Sequence, residues 1–224
     1  MKRFLALVVA LMLASGVSLA ESVTPTGTLS GTVCWPEGTT EDTATFIYRY
    51  SYPVVADTGE AARAINEFYT YLVDDTLAFT VPIMAESLET TEVQSYANVT
   101  SQITCLNDEY FSVLVVTETF LGAAATEVYA GHTFLLEGER AGLATSLPRL
   151  LGILDDQEAD EWMQDRQTAR ANDLVWGLVW SIIEEQRQNG EISFDPDLTY
   201  EMLTQDFYPE EDFYLDENGN PVFF

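Results

Sequence analysis

Charge is the most unusual property of this 224-residue chain, which has 37 Asp and Glu residues against 9 Lys and Arg, a net charge of −28. This charge makes nucleic acid and anionic membranes poor partners, and a hydrophobic fraction of 47% argues against a disordered chain. The acidity has two interpretations: it keeps an exported protein in solution, or it attracts a cationic partner.

Residues 1–20 have the layout of a secretory signal peptide. A basic pair precedes an apolar run, and the small residues Ser18 and Ala20 stand before a cleavage site at Glu21. An uncleaved membrane anchor is the alternative, but the run is short for a span. We therefore predict a secreted, extracytoplasmic protein with no membrane span after cleavage. Its seven remaining arginines face 37 carboxylates, a net charge of −30.

An aromatic stripe follows a polar leader over residues 21–42. Residues 43–55 alternate with a period of two, which predicts a β-strand. Tyr48, Tyr50 and Tyr52 point to one face of that strand. Such a stripe binds sugar or peptide when it is exposed and forms a core face when it is covered. The three tyrosines are therefore candidate ligand-binding residues with a structural alternative.

Helix and strand signals then alternate with turn signals. Pro53 ends the first strand or places it at a sheet edge. Apolar residues at helical spacing predict a helix over residues 58–79 that runs on until Pro82 breaks it. Three strands are predicted next, over residues 92–108, 109–122 and 127–137. Asn107-Asp108 turns the first of these into the second, so we expect an antiparallel meander.

The C-terminal third of the chain returns to a helical pattern. A long helix is predicted from Ala159 to Asn189, with Gly190 as its C-cap. A short helix over residues 197–208 and a hairpin turning at residues 216–220 follow. Three carboxylates precede the long helix: Asp155, Asp156 and Glu158. They form either an acidic recognition patch or the solvated start of a helix, where the dipole favours negative charge.

Together these elements predict an α+β fold, in which an antiparallel meander packs against one N-terminal helix and a long C-terminal helix. We divide the mature chain into two modules. The first, residues 43–100, has a strand, a helix and a strand. The second, residues 101–224, has the meander, the long helix and the terminal hairpin. The two are expected to pack as one globular unit.

Few groups in the sequence suggest chemistry. Cys34 and Cys105 form a disulfide in an oxidising compartment, or stay as two buried thiols. His132, the single histidine, lies within an apolar strand rather than on a catalytic loop. With two cysteines and one histidine, we expect no metal site and no cofactor. Catalytic activity is left open, and the sequence leans against it.

A family resemblance rests on four segments in a fixed order: Tyr52-Pro53 at the end of a strand, Ile65-Asn66 in a helix, residues 110–153 and residues 212–224. This order resembles the extracytoplasmic domain of RsiV-type anti-sigma factors, a two-module domain of unknown function that is also attached to some peptidoglycan deacetylases. Relatives often carry a histidine before the third strand, where this chain has Ala123, Ala124 and Ala125. Relatives also continue past the hairpin, so we expect a C-terminal truncation.

The resemblance implies a secreted or cell-envelope, non-catalytic domain that binds a ligand. Combined with the acidic charge, it suggests a basic protein such as a lysozyme-like muramidase, or cell-wall material, as the partner. One alternative is an envelope enzyme that acts on peptidoglycan or glycan through paired carboxylates. Another is an accessory domain of a separate envelope protein.

Overall fold

The computed structural model describes residues 23–56, 59–88, 93–153, 161–190 and 195–224. In chain order its elements are β1 (Pro25–Trp35), β2 (Phe46–Val55), α1 (Glu60–Asp75), a π-helical segment (Thr76–Thr80), α2 (Val81–Ser87), β3 (Ser95–Leu106), β4 (Tyr110–Phe120), β5 (Ala125–Leu135), a 3₁₀ turn (Gly138–Arg140), α3 (Leu147–Leu150), α4 (Glu161–Gln188), α5 (Tyr200–Asp206), β6 (Phe213–Leu215) and β7 (Pro221–Phe223). The predicted α+β class is confirmed.

The central sheet has five strands in the order β1-β2-β3-β4-β5. Three of its four pairings are antiparallel, as a meander requires. The predicted meander of β3, β4 and β5 is confirmed, whereas β2, whose partner was not predicted, pairs with β3 in parallel. The connection explains the difference, because residues 56–94 carry α1 and α2 over one face of the sheet. A helical crossover of this kind brings the next strand back in the same direction.

The predicted polar leader contains an edge strand. β1 pairs with β2 along its length, from Pro25 opposite Val55 to Trp35 opposite Phe46. Most of its side chains are exposed, and an exposed edge strand accepts polar residues, so its composition resembled that of a loop. The division into two modules stays a prediction. β3 runs through the proposed boundary at residue 100, so the sheet is continuous there.

The helical crossover buries a residue at every fourth position. The core-facing stripe is Ala61, Ile65, Tyr69, Val73, Leu77, Val81 and Ala85. In an α-helix with 3.6 residues per turn, a stripe at this spacing drifts around the axis. The π-helical segment has wider turns and brings the stripe back towards the sheet. Pro82 lies in the first turn of α2, directly after the π-helical segment, and the helix continues through it, so the expected break at Pro82 was wrong.

Asn66 ties α1 to the end of β2. The hydrogen-bond ladder between β2 and β3 stops at Tyr50, so the side of β2 that faces β3 is unpaired at Pro53. This agrees with the prediction that Pro53 either ends the strand or lies at a sheet edge. The Asn66 side chain closes this edge. Its Oδ1 accepts the Val55 N–H at 3.0 Å, and its Nδ2 donates to the Val55 carbonyl at 2.9 Å.

Replacing Asn66 with alanine should lower the free energy of unfolding by about 2 kcal/mol, because the buried Val55 backbone loses the partners of both its polar groups. Urea denaturation measures this change. Thr70→Ala is the matched control on the same helix, since the exposed Thr70 hydroxyl bonds only to the helix's own carbonyl at Asn66. The control should change stability by less than about 0.5 kcal/mol. Equal losses in the two variants would contradict the prediction.

The terminal hairpin packs on the opposite face of the sheet from α1. β6 and β7 pair antiparallel, and the Asp216 carboxylate organises their turn by accepting the Asn220 N–H at 2.8 Å. The hairpin prediction is thus confirmed. The Leu215 N–H donates to the Ser112 hydroxyl at 3.0 Å, and this hydroxyl lies 2.8 Å from that of Thr133. Buried polar groups therefore fix the hairpin on β4 and β5.

A glycine allows the closest approach between these two layers. A Cβ atom on Gly131 of β5 would lie 1.6 Å from the Phe213 carbonyl oxygen of β6. Phe213 in turn belongs to a second core with Leu147 of α3 and with Ala171 and Val175 of α4. The long helix therefore reaches the sheet through the hairpin rather than directly.

The predicted turns and caps agree with the structure. Asn107 makes the turn between β3 and β4, where its Oδ1 accepts the Tyr110 N–H at 2.8 Å. Gly190 ends the long helix with a φ of +74°, a conformation that favours glycine. Thr199 supplies a cap that was not predicted, since its side chain accepts the Met202 N–H at 3.2 Å at the start of α5.

Candidate functional site

The tyrosine stripe that the sequence offered as a ligand site faces the core. Tyr48 and Tyr52 are 3% and 4% exposed, and the Tyr52 ring stacks on Tyr69 of α1 at 5.2 Å. Burial raises the pKa of both phenols, so they stay neutral. Tyr50 is half-buried. Tyr48 and Tyr52 therefore belong to the core face, the structural alternative for this stripe, and ligand binding by the half-buried Tyr50 stays a prediction.

The acidic cluster falls outside the described residues. Asp155, Asp156 and Glu158 belong to residues 154–160, which the structure does not describe. Their role in recognition therefore stays a prediction.

Cys34 and Cys105 are free thiols, so the structure follows the unpaired alternative, with Cys105 buried and Cys34 half-buried. Strand register gives the reason. Cys34 of β1 lies opposite Ile47 of β2, which lies opposite Tyr96 of β3. Cys105 is nine residues farther along β3, a distance of about 30 Å, whereas a disulfide needs Cα atoms within about 7 Å. Burial also raises the pKa of the Cys105 thiol, which keeps it protonated.

His132 lies on β5 beneath α1. Its ring is edge-on to Phe68 at 5.1 Å and lies 5.7 Å from Tyr69. Its Nδ1 atom is buried and has no hydrogen-bond partner among the described residues. Burial lowers the pKa of the imidazole to about 4, so the ring is neutral at pH 7. The predicted apolar strand environment is confirmed, and His132 packs as an aromatic residue.

Other groups with chemical potential are few in the described parts of the chain. No three His, Cys, Asp or Glu side chains are grouped there to hold a metal ion. No helix among the same residues has both the length and the apolarity needed to span a bilayer. A cavity of about 310 Å³ beside the 3₁₀ turn has walls of mixed charge, including Glu137, Glu139, Arg140 and Arg149.

The candidate site is an apolar groove between α4, α5 and β7, which we call the C-terminal groove. Its volume is about 510 Å³, and its walls are Val179, Ile182, Leu203, Phe207, Phe223 and Phe224. Apolar clefts of several hundred Å³ are the usual form of ligand sites. Since none of the six side chains is titratable, this groove is suited to binding rather than to acid–base chemistry.

Two contacts hold α5 against α4 and so shape the groove. The Trp176 indole N–H donates to the Phe207 carbonyl at 2.9 Å. The Arg187 guanidinium donates to the Leu198 carbonyl at 2.7 Å and lies over the Trp180 ring at 5.3 Å. The wall formed by α5 is therefore fixed at both ends of the helix.

Sequence reasoning found the apolar face of α4 but missed the groove. The signal is a doubling of apolar residues at four-residue spacing: Leu174-Val175, Leu178-Val179 and Ile182-Ile183. One member of each pair turns towards the core. Leu174, Leu178 and Ile182 remain 56%, 59% and 44% exposed. A face this wide indicates a helix with contacts on two sides, but it does not say what makes the second contact.

No family model and no curated protein matches this chain. Among solved structures, the chain is similar to a DUF3298 family protein from Pseudomonas aeruginosa, with 12% identity and a TM-score of 0.44 over 79% of this chain and 77% of that one. It is also similar to a member of the DUF3298 family from Bacteroides fragilis, with 14% identity and a TM-score of 0.39 over 88% and 81% of the two chains.

Proposed function

We propose that the protein is an extracytoplasmic, non-catalytic binding domain that recognises a basic protein. The carrying observation is the C-terminal groove, an exposed apolar surface on a chain with a net charge of −28. Exposed apolar patches with polar surroundings mark interaction sites. The acidic field then selects for cationic partners and speeds their encounter.

The environment of His132 supports a non-catalytic role for the groove. The single imidazole of the chain is held neutral by burial beneath α1. It lies on the face of the sheet opposite to the hairpin that forms one wall of the groove. The groove itself offers aliphatic and aromatic side chains. Its chemistry is that of a protein contact surface.

The resemblance to RsiV-type extracytoplasmic domains supports a lysozyme-like muramidase as the partner. Titration of residues 21–224 with lysozyme by calorimetry tests this proposal. We expect binding at low salt that weakens by about tenfold at physiological salt, because exposed charges are screened over a shorter distance.

Lysozyme with acetylated lysines is the matched control, because acetylation removes the positive charge. It should bind much more weakly than the unmodified protein at low salt. Absence of lysozyme binding at both salt concentrations would rule out the muramidase as partner.

A further inference from the structure

The long helix α4 carries apolar side chains on two faces. Ala171, Val175 and Ile183 are buried, whereas Leu178 and Ile182 belong to the exposed stripe that begins at Leu174. A surface helix that contacts one neighbour needs one apolar stripe. The exposed stripe spans about 12 Å along the axis and enters the C-terminal groove at Ile182, so stripe and groove form one continuous surface.

The opposite wall extends the same surface towards the sheet. Phe223 and Phe224 line the groove, and the Phe224 ring contacts Tyr129 of β5 at 5.8 Å. Tyr129 and Phe224 are themselves exposed. The apolar surface therefore crosses from α4 over the hairpin to the edge of the sheet.

Carboxylates flank this surface on both helices. Glu185 of α4 follows Ile182 by three residues and Asp206 of α5 follows Leu203 by three, so each exposed carboxylate shares a helix face with a groove residue. The nearby cation Arg187 is engaged with Glu184 at 3.1 Å and with the Leu198 carbonyl. The rim of the groove is therefore negative.

We propose that the C-terminal groove docks a basic amphipathic helix of a partner protein. Apolar residues of that helix at i and i+4 enter the groove, and flanking Lys or Arg residues face the carboxylates of the rim. This inference rests on the proposed binding function and specifies the partner's contact element.

The spacing of the walls favours a helix as the occupant. Val179 and Ile182 are three residues apart on α4, a spacing that forms a ridge against which another helix packs, and Leu203 of α5 lines the same groove. A second copy of this chain is disfavoured, because each copy carries a net charge of −28 and the two repel each other.

Two synthetic 18-residue peptides of identical Leu and Lys composition test the proposal. One places Leu at helical spacing, and the other has the same residues shuffled so that no apolar face forms. Fluorescence anisotropy with residues 21–224 should show at least about tenfold tighter binding of the amphipathic peptide, a difference of about 1.4 kcal/mol.

The decisive variant is Leu178→Ser with Ile182→Ser, which leaves the charge unchanged and alters exposed positions. Its control is Phe79→Ser with Ile83→Ser, a pair of exposed apolar residues at the same spacing on the helical crossover. Thermal unfolding verifies that both variants fold. The groove variant should lose the tenfold preference, and the control should keep it.

Equal affinity of the two peptides, equal losses in the two variants, or a groove-dependent dimer of the free protein in sedimentation would each overturn the inference. Lysozyme reports separately on the proposed function. A groove-dependent peptide preference without lysozyme binding supports the groove and overturns the muramidase as partner. Lysozyme binding without any peptide preference supports the proposed function and overturns the groove.

Discussion

Replacing Gly131 with alanine is expected to destabilise the protein by about 3 kcal/mol, at the upper end of the usual cost of overpacking. The added Cβ would lie 1.6 Å from the Phe213 carbonyl oxygen and 2.6 Å from its carbonyl carbon. Both are backbone atoms, so no side-chain rotation relieves the clash. The hairpin must move away from β5.

That movement breaks the polar contacts between the two layers. Leu215 loses its hydrogen bond to the Ser112 hydroxyl, and the buried Ser112–Thr133 pair is disturbed. Since Phe213 packs against Ala171 and Val175 of α4, the long helix loses part of its support as well. We therefore expect the C-terminal layer to loosen while the sheet and α1 keep their own core.

Urea denaturation followed by near-ultraviolet circular dichroism measures the loss. Gly27→Ala in the edge strand β1 is the control, because a Cβ at Gly27 has no atom within 4 Å. Its effect should stay within about 0.5 kcal/mol. If Gly131→Ala unfolds at the same urea concentration as Gly27→Ala, the close approach of β6 to β5 does not exist in solution.

Gly131 also shows where sequence reasoning stops. The period of two in β5 assigns its residues to two faces, but it does not reveal that a distant hairpin covers one of them. Local signals were sufficient elsewhere. Asn107 and Gly190 act within a few residues of their own positions, so their turn and cap were predictable.

Two features of the topology follow from connections rather than from single elements. The parallel pairing of β2 with β3 follows from the crossover over residues 56–94, which the helix prediction already implied. The continuation of the helix through Pro82 follows from the four-residue repeat that includes Val81 and Ala85. Both signals are present in the sequence, so the parallel pairing and the continuous helix were both predictable.

Only the α4 wall of the candidate site was predictable from the sequence. The doubled apolar pairs of α4 indicate two contact faces, but the groove also needs Phe207 and Phe223, which lie far along the chain and meet α4 only after folding. For the tyrosine stripe, the sequence shows the residues but not their burial. Alternation assigns Tyr48 and Tyr52 to one face of β2, but it does not show that α1 covers this face and buries them.

His132 should make the protein lose stability in mildly acidic solution. Its pKa is about 4 in the folded protein, lowered from 6.5 by burial. The unfolded chain therefore takes up a proton as the pH falls through 6.5, whereas the folded protein takes it up near pH 4. The His132 contribution to the free energy of unfolding is fully present above pH 6.5. It is lost as the pH falls from 6.5 to 4, which lowers the free energy of unfolding by up to about 3 kcal/mol.

His132→Phe isolates this effect, because the carboxylates of the chain titrate in both proteins and cancel in the difference. A phenyl ring keeps the edge-on contact with Phe68 and removes the buried Nδ1 atom that lacks a partner. The group that faces His132 from α1 is Tyr69, whose pKa burial raises, so it does not titrate in this range. The variant should therefore be more stable than the original protein at pH 7, and its advantage should grow between pH 6.5 and 4.

Urea denaturation of both proteins at intervals from pH 7 to 4 gives the two stability curves. Because the chain has a single histidine, the nuclear magnetic resonance titration of its ring proton gives the folded pKa directly, without assignment. Parallel curves together with a ring pKa near 6.5 would show that His132 is solvated rather than packed beneath α1. A pKa near 4 with diverging curves would place the imidazole in the core as a neutral aromatic ring, outside acid–base chemistry at pH 7.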